Sequence, residues 1–358
     1  MNQSDSLKFQ AIAIGSLPHN NADKAMLVVK ENFPHIPFFP QLANVQKNED
    51  MIIQFLEGLP SFFADKAQDF VMNSESDEFF ESLEEFFTDY EEIMVDTNSE
   101  KLSKYGISKE FSSTFLKFIE IIKETKPKYA KGQIVGPFTL ASSLADINGQ
   151  NYVFDDTLRD IVVKLLKLKV LWQIKQIKSA NSETIPIIFI DEPTVSQLGT
   201  SAYITISDKI VIDMLKEICD VIHENGGICG VHCCGKCDWS VPIRSGVDIL
   251  NFDAYAYSKH LSLYSDDIDS FLKNGGKLAW GIVPTLDVKA LTNLEVKDLA
   301  KKFEISVKYL TNKGINEKLI KDNSIITSSC GAGSLSIELA ERAMHLVFEL
   351  ADFLRERE

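Results

Sequence analysis

The 358 residues are 45% apolar and 25% charged, the proportions of an ordinary globular chain long enough for one large core or two modest ones. A net charge of −15, from 52 acidic against 37 basic residues, argues against nucleic acid or an anionic membrane as the main partner. No apolar run approaches the roughly 20 residues of a membrane span, and the opening M-N-Q-S-D-S-L-K has no apolar signal core, so a cytoplasmic location is expected.

Eight short apolar runs read as strands: Phe9–Ile14, Ile36–Phe39, Gly132–Val135, Pro186–Ile190, Ile228–His232, Asp248–Phe252, Lys277–Gly281 and Ser324–Thr327. Helical spacing separates most of them, over Ala22–Asn32, Asp50–Glu57, Thr157–Ala180, Asp208–Asn225, Asp266–Asn274, Leu294–Lys313 and Leu335–Arg355. Strands alternating with helices predict a parallel α/β fold, and eight of them predict a (β/α)8 TIM barrel spanning 1–358 as one domain. An open doubly wound sheet is the alternative, weakened because no G-x-G-x-x-G follows the first run. From about 61 to 128 the chain is acidic, rich in Phe and Glu, and helically spaced, as in Phe79-Phe80-x-x-Leu83-x-x-Phe86-Phe87. That stretch is too long for a βα connection and too apolar for a linker, so it reads as a helical insertion after the second strand.

Residues with chemistry collect where the runs end. Gly15-Ser16, Pro40-Gln41, Gly136-Pro137, Asp191-Glu192-Pro193, His232-Cys233-Cys234, Asp253 and Cys330-Gly331 all follow a run. In a barrel those ends converge on one face. Four of the six cysteines fall within Cys229–Cys237, too few for a disulfide scaffold and too clustered for plain packing. Alternation along a strand puts His232 and Cys234 on one side, and Cys330 ends another run before a glycine-rich turn. Imidazole and sulfur donors suit zinc, so His232, Cys234 and Cys330 are the predicted ligands. Asp253 offers a fourth, or that position is left for substrate. A closed structural site using Cys234 and Cys237 is the bland alternative, and C-x-x-C usually comes with a second pair. Cys219 reads as core.

Two adjacent carboxylates after Ile187-Ile188-Phe189-Ile190 are costly unless they bind something. Asp191 and Glu192 suit a substrate ammonium or a proton to be moved, against a plainer role in capping a helix begun by Pro193. Ile14-Gly15-Ser16 is a candidate carboxylate cradle, through freed amides and a hydroxyl.

With Ile14-Gly15-Ser16, Ile190-Asp191-Glu192-Pro193, His232-x-Cys234 and Cys330-Gly331 in that order, the chain resembles the catalytic part of cobalamin-independent methionine synthase. More broadly it resembles the zinc-dependent thiol methyltransferases related to uroporphyrinogen decarboxylase. The resemblance implies a (β/α)8 barrel, zinc on His232, Cys234 and Cys330, and amino-acid contacts from Ile14–Ser16 and Asp191. It implies transfer of a methyl group to the thiol of homocysteine from methylfolate or a methylated corrinoid protein. Alternatives are another small thiol such as coenzyme M, or a non-catalytic corrinoid- or thiol-binding protein with a structural zinc. The methionine synthases have glutamate where this chain has Asp253. They also use an acidic residue expected near Gln41–Asp50, where no match is evident, and carry an N-terminal barrel that helps hold methylfolate and is not seen here. Uroporphyrinogen decarboxylation fits poorly, since it calls for cationic contacts and only five arginines occur.

Overall fold

The computed structural model describes residues 7–357. Six strands form one parallel sheet in chain order: β1 Tyr129–Val135, β2 Ile185–Asp191, β3 Ile228–Cys233, β4 Ile249–Phe252, β5 Lys277–Val283 and β6 Ser324–Ser328. Each is an apolar run buried along nearly its whole length, as parallel strands covered on both faces require. Helices cross between them, several started by a side-chain cap: Asp155 on Leu158 N, Ser207 on Ile210 N and Ser336 on Leu339 N.

The first two predicted strands differ from expectation. Phe9–Ile14 and Ile36–Phe39 make only isolated parallel bridges, Ala11 with Ile326 on the β6 edge and Phe38 with Lys131 on the β1 edge. Local chemistry explains why neither extends into a ladder. Phe9 has a positive φ of 49°, which breaks the extended run at its start. Pro37 and Pro40 remove two N–H donors from the second run. A third bridge, Ser16 with Gln41, joins the two segments to each other. The predicted helix over Asp50–Glu57 shrinks to a single turn, Ile53–Phe55.

Alternation sorts the side chains. Ile188, Ile190, Val231, Leu250, Phe252, Leu278, Trp280 and Ile326 join the large core under the helices. Ile187, Phe189, Ile249, Ala279 and Ile325 face the other way and pack with Leu7, Ile12, Ile14 and Ile36. Side chains from both edges and the middle of the sheet share that second cluster, so the sheet is curled around it.

Across 61–128 lie the helices Asp77–Val95 and Phe115–Thr125, with shorter turns between them. This segment braces the loop that follows Phe39. Glu49 accepts from Leu42 N (2.8 Å) and Ser113 N (2.7 Å), and Gln54 Nε2 donates to Phe111 O (2.7 Å) while accepting from Gln41 Nε2 (2.9 Å). No helix among the described residues is long and apolar enough to cross a membrane.

Candidate active site

Register builds the site. Asp191 on β2 is the Cα partner of His232 on β3, and His232 is the partner of Asn251 on β4. These three polar residues form one row near the C-terminal ends of the strands. Cys234 follows β3 by one residue and Cys330 follows β6 by two. The ligand atoms of His232, Cys234 and Cys330 all lie within 4.8 Å of one another. Residues 96 positions apart in the chain are thus brought together by the curl of the sheet.

Asn251 sets the chemistry of the imidazole. Its Nδ2 donates to Ala279 O (2.9 Å), which turns Oδ1 toward His232 Nδ1. An oxygen there can only accept, so Nδ1 carries the proton and the lone pair sits on Nε2. His232 is 4% exposed, and Nε2 has no hydrogen-bond partner of its own beyond the neighbouring sulfurs. Cys330 is held by Thr285, whose Oγ1 accepts from Cys330 N (3.1 Å) and donates to Cys330 O (3.0 Å). An unengaged lone pair beside two thiols is a donor set that fits a soft divalent ion such as zinc. We expect Asn251→Leu to weaken metal affinity by about 10–100-fold, measured by competition with a chelator; unchanged affinity would remove Asn251 from this account.

Ile14, Ser16, Asp191, His232, Cys234 and Cys330 line one cavity of about 430 Å³. Ser16 reaches it from the other edge of the sheet. Its Oγ accepts from Gly333 N (3.3 Å), and its carbonyl accepts from Ala332 N (2.9 Å). A Cβ at Gly331 would stand 2.1 Å from Ser16 Oγ, so any larger residue would force that hydroxyl to move. Gly15 is constrained in the same way by the amide of Gln133, at 2.2 Å.

No family model matches the chain. A methionine synthase of Methanocaldococcus jannaschii is 26% identical over 245 residues, which cover 66% of this chain and 68% of that protein. The chain is a relative of that methionine synthase. That match supports the resemblance read from the motifs. In structure, a methyltransferase from Methanosarcina mazei matches 70% of this chain and 66% of its own, with a TM-score of 0.44 and 16% identity, a likeness too distant to add weight.

Electrostatics separates the residues further. Cys234 is pushed down to about 4 by the Cys330 thiol first and His232 second, both of which stabilise its thiolate. Cys330 is pushed up because Cys234 takes the negative charge and because it is buried. A cation bound between the two sulfurs would favour both as thiolates. Burial opposes a charged His232, yet Cys234 and Asp191 outweigh it and raise its pKa. Asp191 is 4% exposed, with Oδ1 unpartnered and its pKa raised by burial against the pull of His232 and Lys131.

Glu192 and Asp253 each accept hydrogen bonds at the start of a helix. The Glu192 carboxylate is fully buried and accepts from Phe138 N (2.8 Å), Thr139 N (3.0 Å) and Thr139 Oγ1 (2.6 Å). It anchors the start of the helix Pro137–Ser143 and ties β2 to it. Burial raises it to about 7 against those three donors. Asp253 caps the helix Ala254–Leu261 by accepting from Ala256 N (2.8 Å), and it is not grouped with the three metal-type donors. Burial lifts it to about 6.

Sequence reasoning missed Asn251, Thr285, Glu49 and Lys131. Asn251 had a signal, a lone amide in the apolar stretch I-L-N-F. Glu49 lines the cavity beside Asp50, but the pair follows the polar Gln46-Lys47-Asn48, so nothing local marked it. Thr285 had none.

Proposed function

We propose that this chain is a methyltransferase that moves a methyl group onto the thiol of a small amino-thiol, with homocysteine favoured and zinc as cofactor. The observation that carries the reading is the group of His232, Cys234 and Cys330, within 4.8 Å, in the wall of a cavity that also presents the unpartnered Oδ1 of Asp191. The methionine synthase relative supports methyl transfer as the reaction class. We read the fold as a (β/α)8 barrel in which the bridged segments around Ala11 and Phe38 take the first two strand positions, with 61–128 as its helical insertion.

Each part of the substrate has a counterpart. Asp191 Oδ1 would accept from the ammonium. Ser16 already accepts from Gly333 N, which leaves its own proton for the substrate carboxylate. His232 Nε2 and the two sulfurs would hold zinc. A thiol bound to zinc stays deprotonated at neutral pH, where a free thiol of pKa about 8.5 is only a few per cent thiolate. The sulfur gains the methyl group that methylfolate or a methylated corrinoid protein gives up. Glu49, Asp50 and Asp191 line the cavity, and its lining includes no lysine or arginine among the described residues, which disfavours an anionic thiol such as coenzyme M.

The test is twofold. X-ray absorption at the zinc edge is expected to record one more sulfur neighbour when homocysteine is added. Assays with methylfolate and with methylcobalamin are expected to yield methionine from one of them. No change in sulfur count and no methionine from either donor would end this reading in favour of a structural zinc.

A further inference from the structure

Lysines on several helices of this protein are matched by an acid one turn away: Lys209 by Asp213, Lys216 by Asp220 and Lys273 by Asp269. The helix Val296–Thr311 departs from that pattern. Lys297, Lys301 and Lys308 follow one another along a single face, and none has an ion-pair partner among the described residues. Like charges stacked this way weaken a helix. The same face borders a cavity of about 560 Å³, the size of a small-molecule site. Arg357 adds a further cation, its guanidinium 4.0 Å from the centre of the half-buried Phe353 ring. The carboxylate in the lining, Glu304, is already held by Lys321 (3.1 Å), which also holds Glu317 (2.8 Å). Between the cations the wall is apolar, formed by Phe353 and by Ile305, which is 48% exposed. Unmatched positive charge is thus gathered in one hollow of a chain whose net charge is −15.

We infer that this hollow is a second ligand site, for a compact polyanion that carries a flat apolar group, the class of a nucleoside polyphosphate. Lys297 to Lys308 covers about 16 Å of helix, so a single carboxylate or phosphate would meet these cations one at a time. A run of phosphates meets several, and lysine serves each as a point charge. The apolar wall gives a ring somewhere to leave water, against Ile305 and Phe353. An extended nucleic acid is disfavoured, because the rest of this acidic surface would repel it. Phe9, also in the lining, donates its N–H to Ser324 O (2.6 Å) at the start of β6. The hollow therefore lies at the foot of the sheet, at the opposite end of the strands from Cys234 and Cys330. Residues at the foot of such a sheet serve stability, and unpaired like charges do not. The inference is independent of the amino-thiol reading of the upper cavity.

The experiment is calorimetric titration of the whole chain with ATP, with tripolyphosphate and with adenosine. ATP is expected to bind about tenfold more tightly than tripolyphosphate, the effect of burying roughly 60 Å² of apolar surface. Adenosine should bind more weakly than either, and the affinity for both anions should fall as salt is raised. Lys301→Glu with Lys308→Glu should cost about a hundredfold in ATP affinity, roughly tenfold for each charge reversed. Lys209→Glu makes the same change on an exposed lysine of another helix and should leave ATP affinity within about twofold, since screening confines the effect to near charges. Ile305→Ser should abolish the preference for ATP over tripolyphosphate while leaving tripolyphosphate binding as it was. Circular dichroism and zinc content should be the same in all of these variants. No binding of ATP by the native protein, binding no tighter than that of tripolyphosphate, or a double variant that binds ATP as well as Lys209→Glu does, overturns the inference.

Discussion

Cys330→Ser, and separately His232→Ala, are expected to leave the purified protein without bound zinc and without methyl transfer. Zinc sites of this kind bind with about 10–16 kcal/mol, so losing one of three protein donors should remove on the order of a third, roughly a hundredfold to ten-thousandfold in affinity. Metal analysis after dialysis reads this directly. Cys330→Ser is the cleaner of the two, because the residue is half-buried and its backbone stays clamped by Thr285. His232→Ala also strands Asn251 Oδ1, which costs about 1–3 kcal/mol of stability, so its fold should be checked by circular dichroism. Full metal content in both variants would mean that the ligands lie elsewhere.

Asp191→Ala should do the opposite: metal retained, amino-thiol lost. A charge-assisted hydrogen bond is worth about 1.5–3 kcal/mol, so homocysteine affinity is expected to fall roughly 10–100-fold. A parallel loss of zinc would move Asp191 into the metal shell.

The two predictions separate because Asp191 and His232 share a row of the sheet yet present different atoms to the cavity. Their adjacency is a matter of register between β2 and β3. Neither strand announces that register by itself. The acidic pair Asp191-Glu192 illustrates the point. Both follow the same apolar run, but period-two alternation sends Asp191 inward to the cavity and Glu192 outward to the amides of Phe138 and Thr139. Composition marked the pair as expensive to bury; only the neighbours decided what each carboxylate satisfies.

What the chain determines locally can be read without a structure. Apolar runs of four or five residues mark the six strands, and a repeat of two puts His232 and Cys234 on one side. Glycines at 331 and 333 mark a close backbone approach. These follow from covalent geometry, which acts over a few residues. Two local features were also there to be read, the prolines at 37 and 40 that prevent a second ladder strand, and the lone Asn251 in its apolar run. The distance between Cys330 and the His232 side chain, the partner of Glu192, and the seat of Lys131 over the Phe189 ring depend on contacts between segments many tens of residues apart. Those contacts exist only once the curled sheet has brought its edges around one apolar interior, and no repeat along the chain encodes which side chains meet there.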